Sequence, residues 1–247
     1  MMLETNSDQG NLRDWLFDEL EIIIVDADDT IWYDARYYSQ VRSCLIELAA
    51  AYGYGPGSVR ELINRCRTNL PSGEEGYSTS LLFCAEQIGL REEDSTMLVN
   101  AIESFKKHPI VLLPYARKTL EIFESMVDLV LLSKGVEKEQ IRKLEHSRLS
   151  HLFKHIEIVQ DKGPENFVDF LTRLGACNNK TLMIGNSIRE DIIPAVSNDV
   201  KAIWINHIEN FYGRDGEPPA SVLELDGWQS VFQLVSQHRR DFGNDLR

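Results

Sequence analysis

A chain of 247 residues, 43% apolar and 26% charged, has material for one large domain or for a domain carrying an insertion. Its formal net charge of -13 argues against nucleic acid or an anionic membrane surface as partner, since like charges repel. A phosphorylated small molecule stays open, because a cation or a few basic side chains can reverse the field inside one cleft.

The N-terminus as far as Glu21 is polar and acidic, without the basic start and apolar run of a signal peptide. No apolar stretch approaches the roughly 18 residues a membrane helix needs. Cys44, Cys66, Cys84 and Cys177 are scattered with no Cys-x-x-Cys pair, the pattern of reduced thiols. A soluble, cytoplasmic protein is expected.

In chain order, the first β-rich run is 21–25 (EIIIV). About a hundred residues separate it from the next, far more than one crossover helix requires. Helical patterning fills that interval: 37–52, with Val41, Leu45, Leu48 and Ala49 at helical spacing, then 59–66, 80–88 and 95–105. Breaks are expected at 52–57 and 70–76, where Gly and Pro gather. Residues 34–109 are therefore expected to form an inserted, all-helical second domain, with Pro109 and Pro114 bracketing the return. Further buried-strand runs follow at 128–132 (DLVLL), 156–159 (IEIV), 181–184 (TLMI) and 201–205 (KAIWI), alternating with helical segments such as 137–149 and 165–174. Their near-continuous apolar character predicts a parallel α/β sheet buried on both faces, built from 1–33 and 110–247. The polar tail from Ser236 is expected to fray.

Ligands of open α/β sheets bind beyond the carboxyl ends of the strands. The first four predicted strands run into chemistry-bearing residues. Asp26-Ala27-Asp28-Asp29-Thr30 follows the first, Ser133-Lys134-Gly135 the second, Asp161-Lys162-Gly163 the third and Gly185-Asn186-Ser187-Ile188-Arg189-Glu190-Asp191 the fourth. Carboxylates crowding one rim repel each other, and a hard divalent cation such as Mg²⁺ relieves this. Lys162 adds fixed positive charge and Ser133 a hydroxyl donor, which suit the oxygens of a transferring phosphoryl group. A desolvated, metal-bound Asp is a workable nucleophile toward phosphorus, and a second carboxyl two residues on can serve as acid, then base.

These four motifs, in this order, resemble the haloacid dehalogenase superfamily over essentially the whole chain. The resemblance implies a Rossmann-like, doubly wound parallel core with a helical C1-type cap, and a Mg²⁺-dependent phosphatase acting on small phosphorylated metabolites. By position it makes Asp26 the nucleophile that forms an aspartyl-phosphate. Asp28 becomes the general acid/base and gives its backbone carbonyl to the metal. Ser133 holds a phosphoryl oxygen, and Lys162 offsets charge on Asp26 and the phosphate. Asn186 and Asp191 are the metal-side pair. Asn186 departs from the family's usual Asp and removes a charge. Glu190 offers a replacement carboxylate, but Ser187-x-x-Glu190 also reads as a helix capping box, the favoured reading. Pro194 moves the expected helix start toward Asp191. Retention of Asp28 separates the sequence from the superfamily's dehalogenating members, which lack it.

Plainer readings stand beside these. Asp29 reads as structural and Lys134 as surface-exposed. His151 and His155 read as a solvent-facing pair rather than a zinc site, since no third ligand is evident. Trp32, Tyr33, Tyr37 and Tyr38 are read equally as pocket lining and as packing between cap and core. The facing of Arg67, Asn69 and Tyr77 is undecided. Three other functions fit the same residues: a receiver-like phosphoaspartate-forming binding protein, a weakly active scaffold compromised at Asn186, and a phosphomutase. Sugar phosphates, nucleotides and phosphoglycolate-like acids all stay open as substrates.

Overall fold

A computed structural model describes Phe17 and residues 19–207 and 216–242. The remainder of the polar N-terminal stretch and the end of the tail, 243–247, lie outside the described residues. No helix among the described residues is long and apolar enough to cross a membrane.

Six parallel strands form one sheet: β1 (Ile22–Val25), β2 (Asp128–Lys134), β3 (His155–Val159), β4 (Thr181–Gly185), β5 (Lys201–Ile205) and β6 (Leu223–Leu225). Their order is β3-β2-β1-β4-β5-β6, which puts β1 inside the sheet between β2 and β4. Val25 lies opposite Leu131 and Ile184, so the chain leaves β1 one residue before β4 ends and three before β2 ends.

The apolar runs are continuous because both faces of the sheet are covered. Alternate residues point to opposite faces. Ile23, Val25, Leu129, Leu131, Leu182 and Ile184 join one buried cluster. Ile24, Val130, Leu132, Met183 and Trp204 join another. Helices α5 (Ala116–Glu124), α6 (Glu137–Ser147) and α9 (Trp228–Phe242) contribute to the first face. Helices α7 (Pro164–Leu174) and α8 (Ile193–Val196) cover the second. This is an α/β, Rossmann-like, doubly wound architecture.

Four helices fill the long interval after β1: α1 (Ala35–Ala50), α2 (Pro56–Arg67), α3 (Gly73–Ile88) and α4 (Glu92–Lys106). They bury an apolar cluster of their own, with Val41, Leu45, Leu62, Leu81, Leu98 and Phe105 inside it. The chain crosses to these helices and back along two adjacent extended segments. Trp32 bridges Leu112, Tyr33 N–H donates to Val111 O at 3.0 Å, and Leu113 N–H donates to Ile31 O at 2.8 Å.

Several expectations are corrected. Strand β2 runs two residues further than expected, so Ser133 and Lys134 belong to it, and β4 takes in Gly185. The expected break at 70–76 ends early. Ser72 precedes α3 in extended conformation, and Glu74 and Glu75 occupy its first turn, where acidic side chains suit the helix dipole. Strand β6 and helices α5 and α9 were not anticipated. The tail does not fray at Ser236, because Val231 and Val235 anchor a helix that continues to Phe242.

Candidate active site

The backbone of Asp26 is still tied to the sheet, its N–H donating to Ile184 O at 2.9 Å. The chain then turns sharply, with Thr30 and Ile31 N–H both donating to Ala27 O, at 3.2 and 2.8 Å. The turn places Asp29 in the left-handed region, at φ 56. Asp29 accepts from Asp34 N–H at 2.9 Å and Ala35 N–H at 3.0 Å, and so caps α1 from outside the helix. The structural role expected of Asp29 is met.

The turn brings Asp26 to the wall of a cleft of ≈ 540 Å³ that also takes in Asp28, Ser133, Lys162, Asn186 and Asp191. The six residues predicted from strand ends thus gather in one place. Tyr38, Arg67 and Gly73 close the cleft from the helical layer. Of the aromatic quartet, Tyr38 lines the cleft, whereas Tyr37 stacks on His108 with ring centroids 4.1 Å apart. Trp32 is fully buried, and Tyr33 packs edge-on against His207. Arg67 faces the cleft with its guanidinium 5.2 Å from the ring centre of the buried Tyr77, and Asn69 is not in the wall.

Lys162 is buried and forms ion pairs with Asp26 and with Asp191, the latter at 2.9 Å. The Thr30 hydroxyl donates to Asp26 Oδ2 at 2.8 Å and approaches Asn186 Oδ1 at 3.3 Å. Burial, then the Asp191 charge, push the Asp26 carboxyl up to about 7, against the opposing pull of Lys162 and Thr30. Burial works to lower the Lys162 ammonium, but Asp191 and Asp26 outweigh it and raise it.

Asp191 is fully buried and spends both oxygens inside the protein, on Lys162 and on Ser187 N–H at 3.0 Å. Gly185 permits this packing, since a Cβ there would lie 2.4 Å from Asp191 Oδ2. Ser187 caps the following turn, accepting from Glu190 N–H at 3.0 Å, which is one half of the expected capping box; the Ser187 N–H of the other half donates to Asp191 Oδ2. A single π-turn, Ile188–Ile192, comes first, and α8 begins only at Ile193. That delay accommodates Pro194, whose missing N–H is harmless in a first helical turn. The Glu190 carboxylate pairs with Lys134. On the outer strand, His155 pairs with Glu157 at 3.0 Å.

Ser133 is buried, yet its hydroxyl has no hydrogen-bond partner among the described residues. A buried hydroxyl left unpaired costs about 1–3 kcal/mol. Because Ser133 borders the cleft, a ligand with an acceptor oxygen would recover that cost.

Asp28 is held by groups that sequence reading missed. Lys143 Nζ lies 3.0 and 3.1 Å from its two oxygens, Gln140 donates at 2.7 Å, and Trp32 Nε1 donates at 2.8 Å. Burial acts to raise the Asp28 carboxyl, but Lys143, then Gln140 and Trp32, hold it below the usual range. Lys143 also pairs with Asp34 at 2.6 Å. Burial, then the Asp28 charge, push Asp34 up to about 8 despite that pair. One signal was available in the sequence. Gln140, Lys143, Leu144 and Ser147 form the buried stripe of α6, so two long polar residues occupy its inward-facing positions.

Among the described residues, no three His, Cys, Asp or Glu side chains converge as a metal cluster. An oxygen set does converge. One Thr30 hydroxyl reaches both Asp26 Oδ2 and Asn186 Oδ1, and both residues border the cleft. Carboxylate and amide oxygens suit a hard cation that keeps several waters, which is the habit of Mg²⁺.

The family model described as haloacid dehalogenase-like hydrolase matches residues 20–198. A search of curated proteins found no match. Solved structures share the fold. A haloacid dehalogenase-like family hydrolase from Xanthomonas campestris is 23% identical with a TM-score of 0.73, covering 90% of this chain and 98% of its own. The candidate HAD-hydrolase YfnB from Bacillus subtilis, solved bound to magnesium, is 18% identical with a TM-score of 0.62, covering 87% and 98%. A 2-haloacid dehalogenase from Pseudomonas syringae is 18% identical with a TM-score of 0.57, covering 89% and 99%. The motif match over most of the chain, on a fold that brings those motifs to one cleft, places this protein in the haloacid dehalogenase-like hydrolase family.

Proposed function

We propose that the protein is a Mg²⁺-dependent phosphatase of small phosphorylated metabolites, working through an aspartyl-phosphate on Asp26. The observation that carries this reading is the second carboxylate, Asp28, in the wall of the same cleft as Asp26. A halide leaves carbon as a stable anion and needs no proton. An alkoxide leaving phosphorus does need one, and in this reading Asp28 would handle it.

In this reading Asp26 attacks phosphorus, and the ester oxygen departs with a proton passed on by Asp28, which is ionised in the resting protein and must first leave a Lys143 or Gln140 contact and take up that proton from solvent. Asp28 then takes a proton from the water that hydrolyses the aspartyl-phosphate. Ser133 donates its unpaired hydroxyl to a phosphoryl oxygen, and the Lys162 ammonium offsets the charge of Asp26 and the phosphate. Asp26, the backbone carbonyl of Asp28, Asn186 and Asp191 are the residues that would hold the metal, directly or through water; without it, Lys162 and Thr30 occupy the Asp26 oxygens, and Lys162 and Ser187 N–H those of Asp191. When bound, Mg²⁺ supplies positive charge that keeps Asp26 ionised and neutralises the phosphate. Residues 34–109 form the cap, with Tyr38 and Arg67 meeting the rest of the substrate and its closure excluding water. The paired segments at Trp32 and Leu112 are its hinge.

A screen of phosphorylated metabolites and p-nitrophenyl phosphate, with Mg²⁺ and with chelator, tests the proposal. Turnover that requires Mg²⁺ supports it, and turnover of 2-haloacids with none of phosphate esters overturns it. Asn186 yields a further prediction. Asn186→Asp restores a charged oxygen beside Asp26 and should lower the Mg²⁺ concentration for half-maximal activity about tenfold, the equivalent of about 1.4 kcal/mol. A magnesium titration of activity reads this directly.

A further inference from the structure

The polar stripe of α6 is the most fully specified feature that the motifs leave unexplained. Lys143 is 1% exposed, although a lysine is seldom buried unless paired. It contacts both Asp28 oxygens and Asp34 Oδ1, while Gln140, one turn earlier, donates to Asp28 Oδ2. Trp32 donates to Asp28 Oδ1. An ionised carboxylate offers about four acceptor positions. Lys143, shared by both oxygens, with Gln140 on one and Trp32 on the other, holds the side chain in one orientation, and a proton enters or leaves an oxygen only as one of these donors gives way.

The second partner of that ammonium has its own significance. Asp34 is the residue immediately before α1, and its own N–H, like that of Ala35 which begins the helix, donates to Asp29. Lys143 therefore stands between the carboxylate proposed to move the proton and the point where the chain enters the helical layer. It pairs with Asp28 and Asp34, not with Asp26, so any effect on the reaction passes through Asp28. Misplacing a reacting group by about 1 Å can cost about 100-fold in rate, so a carboxylate that exchanges a proton with one particular oxygen depends on such restraint.

We propose that Lys143, assisted by Gln140, is a positioning residue that sets the Asp28 carboxylate for proton transfer and anchors that setting to the start of α1 through Asp34. The inference rests on the phosphatase reading of the cleft.

The test compares phenyl phosphate with p-nitrophenyl phosphate, which share a shape but differ in how much the leaving oxygen needs a proton. Lys143→Met keeps the length of the side chain and removes the charge. It should lower kcat/KM about 100-fold for phenyl phosphate, the lower range for loss of acid–base catalysis, and under about fivefold for p-nitrophenyl phosphate. In an Asp28→Asn background the same change should cost less than about twofold, because two residues acting as one unit are not additive. Equal losses on both esters, or a full additional loss in the Asp28→Asn background, would show a merely structural lysine and overturn the inference. If Lys143→Met does not fold, as circular dichroism would show, Gln140→Leu decides by the same ratio. A larger loss on phenyl phosphate supports the inference, and equal losses sink it. A wild-type protein inactive on every phosphate ester overturns the phosphatase reading as well, whereas equal losses in an active protein overturn this inference alone.

Discussion

Asp26→Asn is expected to reduce phosphate-ester turnover by at least about 10⁴-fold, the scale of losing a covalent nucleophile, while the fold survives. The replacement has nearly the same shape and can still accept the Thr30 hydrogen bond that holds Asp26 at 2.8 Å. It lacks the negative oxygen that attacks phosphorus. Stability should not suffer in proportion. Burial, then Asp191, raise the Asp26 pKa from 3.8 to about 7 in the folded protein. A carboxyl with a folded pKa above its unfolded value favours folding when protonated. That contribution is present at acid pH and is lost as pH rises from about 4 through about 7. Above that range the ionised Asp26 is a burden on the metal-free fold, and asparagine removes it. Metal-free Asp26→Asn should therefore unfold no earlier than wild type at pH 8, while its activity is gone. Thermal unfolding and a turnover assay on the same sample read both halves of this prediction.

Lys162→Met should cost both activity and stability. The wild-type ammonium lies buried between Asp26 and Asp191. Its removal leaves two carboxylates facing one another without compensation. Breaking a buried pair in this way costs about 3–5 kcal/mol, a large part of the stability of an ordinary domain. The loss should also depend on pH. Without Lys162 to pull it down, the Asp26 carboxyl rises further, so its protonation favours the fold at low pH and its ionisation opposes the fold as pH rises. The gap between variant and wild type should therefore narrow on acidification from pH 8 toward pH 5. Denaturant unfolding at the two pH values measures it. A gap that widens on acidification would place the main role of Lys162 elsewhere.

The strands and the motif residues at their ends were legible because burial on both faces leaves continuous apolar runs that end abruptly at the cleft. Ile22–Val25 followed by Asp26 shows the pattern most clearly. The helical insertion was legible from spacing and from the length of the gap. Strand β6 escaped because two half-buried leucines, Leu223 and Leu225, around an exposed Glu224 give too short a run to stand out. The partners of Asp28 escaped for a different reason. Gln140 and Lys143 sit in a charged helix whose other face is solvated, and only the three-dimensional approach of α6 to the Asp26–Asp34 turn turns them into buried donors. Arg67 likewise became placeable only once α2 was seen to border the cleft. Asn186 is intermediate. Its position was readable, but the Thr30 hydroxyl that it shares with Asp26 was not.

The most direct measurement is a search for the covalent intermediate. The Asp28→Asn variant, incubated with p-nitrophenyl phosphate and Mg²⁺, quenched in acid and digested, should yield a peptide heavier by one phosphoryl group on Asp26, because hydrolysis of the aspartyl-phosphate is slowed without its base. A phosphoryl group on any other residue, or an active protein whose Asp26 never carries one, would contradict the account.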